Sequence, residues 1–224
     1  NRLQRVKLHL FTDGRDSPRY LAKEILTRLQ PFLGDARVAT IMGRYFGMDR
    51  NKNWTRTAQA YNAIVCGTAP HRVPEAMTGI TQAYNRGESD EFITPTVIGQ
   101  YSGMDDNDAM IHFNLRSDRA RQLTKTFVQD HFEEKNATTK PFHRAKVIKD
   151  LTYVAMTEFG PDLDSILTAY PAVQLQETLP MVLQDVHQLY IAESEKYAHV
   201  TYFFNGGYAD PVGGEDRLMI PSPD

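Results

Sequence analysis

Three times between Val6 and Arg121 an apolar run of strand length stops at a turn that carries arginine, and a 3.6-residue apolar period begins beyond it. Strand and helix patterns alternating in this way predict a mostly parallel sheet flanked by helices, an α/β fold. The first run is Val6, Leu8, Leu10 and Phe11. It ends in Thr12-Asp13-Gly14-Arg15-Asp16-Ser17-Pro18, where Gly14 allows a sharp turn and Ser17-Pro18 predicts a helix cap followed by a first-turn proline. Leu21, Ile25, Leu26, Leu29 and Phe32 then predict a helix over residues 18–33. The second run, Arg37–Met42, breaks at GRYFGMDR, which holds Arg44 and Arg50; Trp54 opens the helix behind it and reads as a packing anchor. In the third, Ala109–Phe113 predicts the end of a buried strand, and Ser117 is expected to cap a helix running through Arg121, Leu123 and Phe127. Arg116 and Arg119 stand three residues apart at that helix start, on one face.

Parallel strands in right-handed crossovers bring their carboxyl ends to one edge, where ligands of open α/β sheets sit. Arg15, Arg44, Arg50, Arg116 and Arg119 on one edge repel one another unless an anion of two or more charges lies between them. Guanidinium forks and free N–H groups at a helix start are the preferred grip for phosphate and carboxylate. The pattern points to a small polyanion such as a phosphorylated acid, with Asp16 as a candidate acid–base group. Arg15 between Asp13 and Asp16 reads either as a neutral surface cluster or as an anion contact. A single R-x-x-R is more often a pair of surface arginines; the recurrence argues for more. The net charge of −3 speaks against nucleic acid or an anionic membrane surface as partner. No apolar run nears the roughly 18 residues of a membrane span. Neither a Walker loop nor a dinucleotide fingerprint is present. His131 and His143 lack metal-ligand spacing, and GMDDND, without the terminal Glu of an EF-hand, reads as a solvated turn.

Elsewhere Pro74–Asn85 predicts a helix, Ser89-Asp90-Glu91 a polar loop, Phe92–Ile98 and residues 147–157 strands, and Pro161–Tyr170 a short helix and loop. The single Cys66 excludes an internal disulfide, suits a reducing compartment and reads as a small buried apolar residue. Past Pro171 the character changes. Glu177–Tyr190 predicts an amphipathic helix with Leu179, Val182, Leu183, Val186 and Leu189 inward; Gln188–Ala192 and Val200–Phe204 predict strands, with Asn205-Gly206-Gly207 as a turn. A strand pair and a helix are a fragment of a sheet, so 224 residues are expected to hold one domain and part of another. The opening NRLQRVKLHLF has no signal-peptide layout and no initiator Met, and reads as a chain that starts mid-protein.

The stretches HLFTDGRDSP, IMGRYFGMDRNKNW, SDEFITPTVIG, NLRSDRAR, AMTEF and SEKYAHVTYFFNGG, in this order over nearly the whole chain, closely resemble the cofactor-independent (2,3-bisphosphoglycerate-independent) phosphoglycerate mutases. The resemblance implies two α/β domains: an alkaline-phosphatase-like one, with two Mn²⁺ ions and a phosphoryl-accepting serine, and a transferase domain inserted in it. Residues 1–172 would be most of the transferase domain, and 173–224 the hinge and part of the phosphatase-like domain. It implies that Arg15 and Asp16 contact substrate and that Asp16 is the general acid/base. Arg44 and Arg50 would hold the carboxylate and orient the hydroxyls, and Arg116 and Arg119 would bind phosphate. Lys196 of SEKYAH would reach the transferring phosphoryl group; without the motif it reads as an exposed loop lysine. The implied reaction interconverts 3-phosphoglycerate and 2-phosphoglycerate through phosphoserine, without bisphosphoglycerate, in cytoplasmic glycolysis and gluconeogenesis. The family's DGG-V-H-S-H motif, its nucleophilic serine and its metal ligands are absent from these 224 residues. The chain alone is therefore expected to be inactive and to need the rest of its own polypeptide. Other readings are a non-catalytic domain binding phosphorylated acids, and a phosphotransferase or hydrolase of the same superfamily; DGRD with NLRSDR argues against the latter.

Overall fold

A computed structural model of the chain describes residues 5–160, 162–163 and 166–222. Pro161, where a short helix was expected to start, and the closing Pro223-Asp224 lie outside the described residues, as do residues 1–4. The chain divides into two compact units, Asn1–Ala169 and Tyr170–Asp224.

In the first unit β1 (Lys7–Thr12) leads to α1 (Ala22–Leu29), and β2 (Arg37–Gly43) to the one-turn α2 (Arg44–Gly47) and then α3 (Trp54–Val65). After β3 (His71–Val73) and α4 (Ala76–Asn85), a 3-10 turn at Asp90–Phe92 precedes β4 (Thr96–Ile98). β5 (Ala109–His112), α5 (Ser117–Val128), α6 (Phe132–Lys135), β6 (Thr152–Thr157) and β7 (Leu167–Tyr170) follow. One sheet has the order β1-β2-β4-β3 and the other β5-β6-β7. The pairs β1–β2, β3–β4 and β5–β6 are parallel, and β2–β4 is antiparallel. The α/β class with mostly parallel sheets and flanking helices is as the sequence predicts. The arginine-bearing junctions, however, belong to two sheets.

The core explains why these periods fold this way. Met42 of β2, Tyr61, Ile64 and Val65 of α3, Leu123 and Phe127 of α5 and Tyr153 of β6 form one buried cluster that spans both sheets. Ile41, Val73, Ile80, Ile93 and Ile98, with Leu26 of α1, form a second. Trp54 is buried, its edge against Phe132 and its indole N–H donating to Thr139 Oγ1 at 2.9 Å.

Several expectations need correction. The run Ala109–Phe113 is not buried: β5 is an outer strand, Ile111 and Phe113 are 65% and 73% exposed, and of β5 only His112 is buried. Ser17 does not cap a helix. Its hydroxyl accepts the Gly14 N–H at 3.1 Å, and α1 starts later, at Ala22. Ser117 is already inside α5, whose N-cap residue, Arg116, gives no side-chain cap. Asp90, expected in a polar loop, opens the 3-10 turn Asp90–Phe92 and is 1% exposed. Residues 167–170 form β7 rather than a helix, because they lie in the outer row of the second sheet.

The second unit holds α7 (Leu179–Val182), β8 (Leu189–Glu193), a π-helical turn at His199–Phe203 and β9 (Asp216–Ile220). The amphipathic helix expected over Glu177–Tyr190 shrinks to α7, with Leu179, Val182 and Val186 exposed. Helices persist mainly through packing of their apolar face, and this one packs against little in the described unit. Val200–Phe204 is not a strand either. β8 and β9 pair in parallel, and a parallel pair requires a crossover, which is where this apolar run sits. Among the described residues, no helix is long and apolar enough to cross a membrane.

Candidate functional site

The turn Asp90–Phe92 gathers the carboxyl ends of β1 and β2. Thr12 Oγ1 lies within hydrogen-bond reach of the Asp90 carbonyl at 2.6 Å and the Met42 carbonyl at 3.2 Å. The Gly43 N–H donates to the Ile93 carbonyl at 2.7 Å. A Cβ on Gly43 would stand 2.1 Å from the Glu91 carbonyl oxygen, and one on Gly14, at φ +68°, 2.6 Å from the Glu91 nitrogen. Only glycine allows both loops this close to the turn. The approach brings Asp13 and Asp16 onto Arg44.

Arg44 is buried and pairs with Asp13 and with Asp16, the latter at 2.7 Å. Burial opposes its charge, but the hydrogen bonds to Asp16 and Asp13 outweigh that and raise its pKa. Burial likewise works against the Asp13 carboxylate, and the Arg44 contact overcomes it to hold Asp13 below its ordinary range. Arg15, 60% exposed, sits 3.8 Å from Glu91, an ion pair of little energetic weight.

The second group comes from the loop behind β2 and the start of α5. Asp118 accepts from Arg50 at 2.7 Å and from Arg116 Nε at 2.6 Å. Burial pushes the Asp118 pKa up, and the two guanidinium groups more than reverse it. Arg119 donates from Nη1 to the Met48 carbonyl at 3.3 Å, while its Nε–H is buried without a hydrogen-bond partner among the described residues. Its pKa is lowered, first by burial and then by the positive charge of Arg50 and of Arg44, with a smaller push from Arg116. Arg44, Arg50, Arg116 and Arg119 therefore occupy one electrostatic neighbourhood. Arg15 is not among the charges that act on Arg119, and its described ion pair is the one with Glu91. Such a cluster with an orphaned buried donor suits an anion carrying more than one charge.

Lys196 lies in the second unit, exposed in the turn after β8. Its N–H donates to the Glu193 carbonyl at 2.9 Å, and its own carbonyl accepts from His199 at 2.9 Å. Among the described residues no group of three or more His, Cys, Asp or Glu side chains is arranged to hold a metal ion.

Sequence reasoning missed two supports of this site. Asp90 was hidden because Ser-Asp-Glu is loop composition. Asp49 and Gln122, both buried, join the Arg50 loop to α5 through a 2.7 Å hydrogen bond. The one available signal for Gln122 was its place one helical turn beyond Arg119.

The family model described as "BPG-independent PGAM N-terminus" matches residues 1–161. A Methanosarcina barkeri protein named 2,3-bisphosphoglycerate-independent phosphoglycerate mutase 1 is 46% identical over 99% of this chain and 43% of its own length. A Pseudomonas syringae protein named 2,3-bisphosphoglycerate-independent phosphoglycerate mutase is 44% identical over 98% of this chain and 42% of its own. The chain thus spans less than half the length of the relatives it matches. Among solved structures, a Leishmania mexicana phosphoglycerate mutase, determined at low cobalt concentration, is similar in fold, with a TM-score of 0.76 and 24% identity over 98% of this chain and 42% of that one.

Proposed function

Because the chain belongs to the 2,3-bisphosphoglycerate-independent phosphoglycerate mutase family, we propose that it is the substrate-gripping part of an isomerase that interconverts 3-phosphoglycerate and 2-phosphoglycerate. Residues 1–172 are the transferase domain in this reading, and 173–224 are the hinge and part of a phosphatase-like domain. The observation that carries it is the Arg44, Arg50, Arg116 and Arg119 neighbourhood, in which burial first and the neighbouring cations second lower the Arg119 pKa, and its Nε–H has no hydrogen-bond partner among the described residues. A phosphate and a carboxylate on one small molecule neutralise such a cluster.

In this reading Arg116 and Arg119 take the phosphate. Arg44 and Arg50 hold the carboxylate and orient the hydroxyls, and Arg15 closes the margin. Asp16 is the general acid/base: it is exposed and already hydrogen-bonded to Arg44, so it stands beside the bound glycerate and can pass a proton between the two hydroxyl oxygens. Lys196 meets the phosphoryl group in transit. What these residues contribute is positioning and charge neutralisation, which dominate phosphoryl transfer. The phosphoryl-accepting serine and the two Mn²⁺ ions implied by the resemblance belong to the rest of the polypeptide in this proposal, and the enzyme works in cytoplasmic glycolysis and gluconeogenesis.

The test is a pair of measurements on the purified 224-residue chain. Titration calorimetry is expected to show binding of 3-phosphoglycerate that Arg119→Ala weakens about tenfold or more, the loss of one charge-assisted contact. A coupled assay with added Mn²⁺ is expected to show no turnover by the chain alone. No binding by the unaltered chain, or full binding by Arg119→Ala, overturns the reading of the cluster. Turnover by the chain alone overturns the division of labour.

A further inference from the structure

The loop that carries Arg50 and the helix that carries Arg116 and Arg119 come from distant parts of the chain, and something must hold them in register. Asp118, Arg119 and Gln122 are spaced to share one face of α5. That face meets residues 48–53 at successive points. Asp118 takes Arg50 at 2.7 Å, and Arg119 reaches the Met48 carbonyl at 3.3 Å. Gln122, 5% exposed, is the innermost contact and uses both ends of its amide. Its Nε2 donates to Asp49 Oδ2 at 2.7 Å and to Thr57 Oγ1 of α3 at 2.7 Å, and its Oε1 accepts the Lys52 N–H at 2.7 Å.

The loop needs this support. Lys52 has φ +59°, a left-handed conformation that a residue with a side chain keeps only where its neighbours enforce it. Asp49 is 6% exposed, and its carboxylate is satisfied by Gln122, by the Asn53 N–H at 2.9 Å and by Arg56 at 3.2 Å. Arg50 lies between these two anchored residues in the chain, so the placement of its guanidinium follows from theirs.

Resting on the anion-site reading above, we infer that Gln122 is a positioning residue for that site: by clamping Asp49 and Lys52 to α5 it sets the distance between Arg50 and the Arg116–Arg119 pair. The position must donate to a carboxylate and accept a backbone N–H at once, which an amide does at any pH and a carboxyl only when protonated. Gln122→Glu keeps the shape and reverses half of this chemistry. Ionised, the new carboxylate faces Asp49 and repels it. Protonated, it again donates to Asp49 and accepts from Lys52.

The experiment is titration of 3-phosphoglycerate into the 224-residue chain and its Gln122→Glu variant between about pH 8 and about pH 6, where a carboxyl buried beside another carboxylate takes up its proton. The variant is expected to bind about tenfold more weakly at the upper end, and the gap from the unaltered chain is expected to close as pH falls. Referring each point to the unaltered chain removes the titration of the ligand's own phosphate. A lower melting temperature with a wild-type affinity at every pH means that Gln122 is structural alone, and overturns the inference. So does a loss of affinity that pH does not relieve. Should Gln122→Glu not fold, Gln122→Met keeps the volume without the polar contacts, and its unchanged affinity overturns the inference in the same way. Absence of binding by the unaltered chain is a different result, and removes the anion-site reading beneath it.

Discussion

His112 is the one buried residue of β5, with its ring edge-on to Phe11, Phe159 and Tyr153. Its Nδ1 lies 2.7 Å from the Tyr153 hydroxyl and its Nε2 is buried without a partner among the described residues. Burial pulls its pKa from 6.5 down to about 4, and burial does the same to His9. Between those values the unfolded chain binds more protons than the folded one, so stability is complete above about pH 6.5 and declines as the pH falls toward about 4. His112→Phe is expected to flatten this decline in urea midpoints measured across the window, with the His9 share remaining; an unchanged slope would show that His112 is protonated in the fold. Single residues were legible in the sequence where their chemistry is exposed to reading. Arg44, Arg50, Arg116 and Arg119 stand at or near strand-to-helix junctions, so the recurring pattern is visible in the string, but these junctions belong to two sheets and one shared parallel edge does not account for their approach. His112 was not legible, because in the string it is one letter in an apolar run and nothing local says which face of β5 turns inward.

Helix α1 shows what sets an element's boundary. Ser17-Pro18 carries the local signature of a helix start, yet the helix begins at Ala22, where the buried Asp90 carboxylate accepts the Leu21 and Ala22 N–H groups at 2.7 and 2.8 Å. The other oxygen takes the Tyr84 hydroxyl at 2.6 Å, so one side chain ties α1 to α4 and to the turn that shapes the site. A cap delivered from a sequence separation of 68 residues cannot be read from neighbours in the chain. Asp90→Ala is expected to cost about 2–3 kcal/mol, the sum of a lost cap and a buried hydroxyl left unpaired. Denaturant unfolding checks this, and a loss below about 0.5 kcal/mol would mean that solvent replaces the carboxylate freely. In the first unit β2, α3, α4 and α5 were legible because the apolar residues of their periods find partners in the two core clusters, whereas the short β3, α6 and β7 were not. The segment 177–190 was not, because its apolar stripe has the right period and too little to pack on.

At the scale of the whole chain the two units differ in how far they are finished. The first buries its apolar residues in continuous clusters that join helices to both sheets. In the second, β8 and β9 form a two-stranded parallel ladder with Leu189, Ile191, Leu218, Met219 and Ile220 all exposed by 44% or more. Parallel ladders are ordinarily covered on both faces, and a pair of strands by itself is marginal in water. The unit does have polar ties: Glu215, whose pKa burial raises but Arg217, Asn205 and the Gly213 N–H bring down to about 2, pins the crossover to β9. Such ties fix local geometry without supplying the apolar burial that resists opening. The amides of β8 and β9 are therefore expected to exchange with solvent by local opening, at least about a hundredfold faster than those of β1 and β2, a gap of about 3 kcal/mol. Hydrogen exchange followed by mass spectrometry on the 224-residue chain measures it. Equal protection in the two ladders would mean that the second unit is a self-sufficient fold and would remove the case for assigning residues 173–224 to a larger domain.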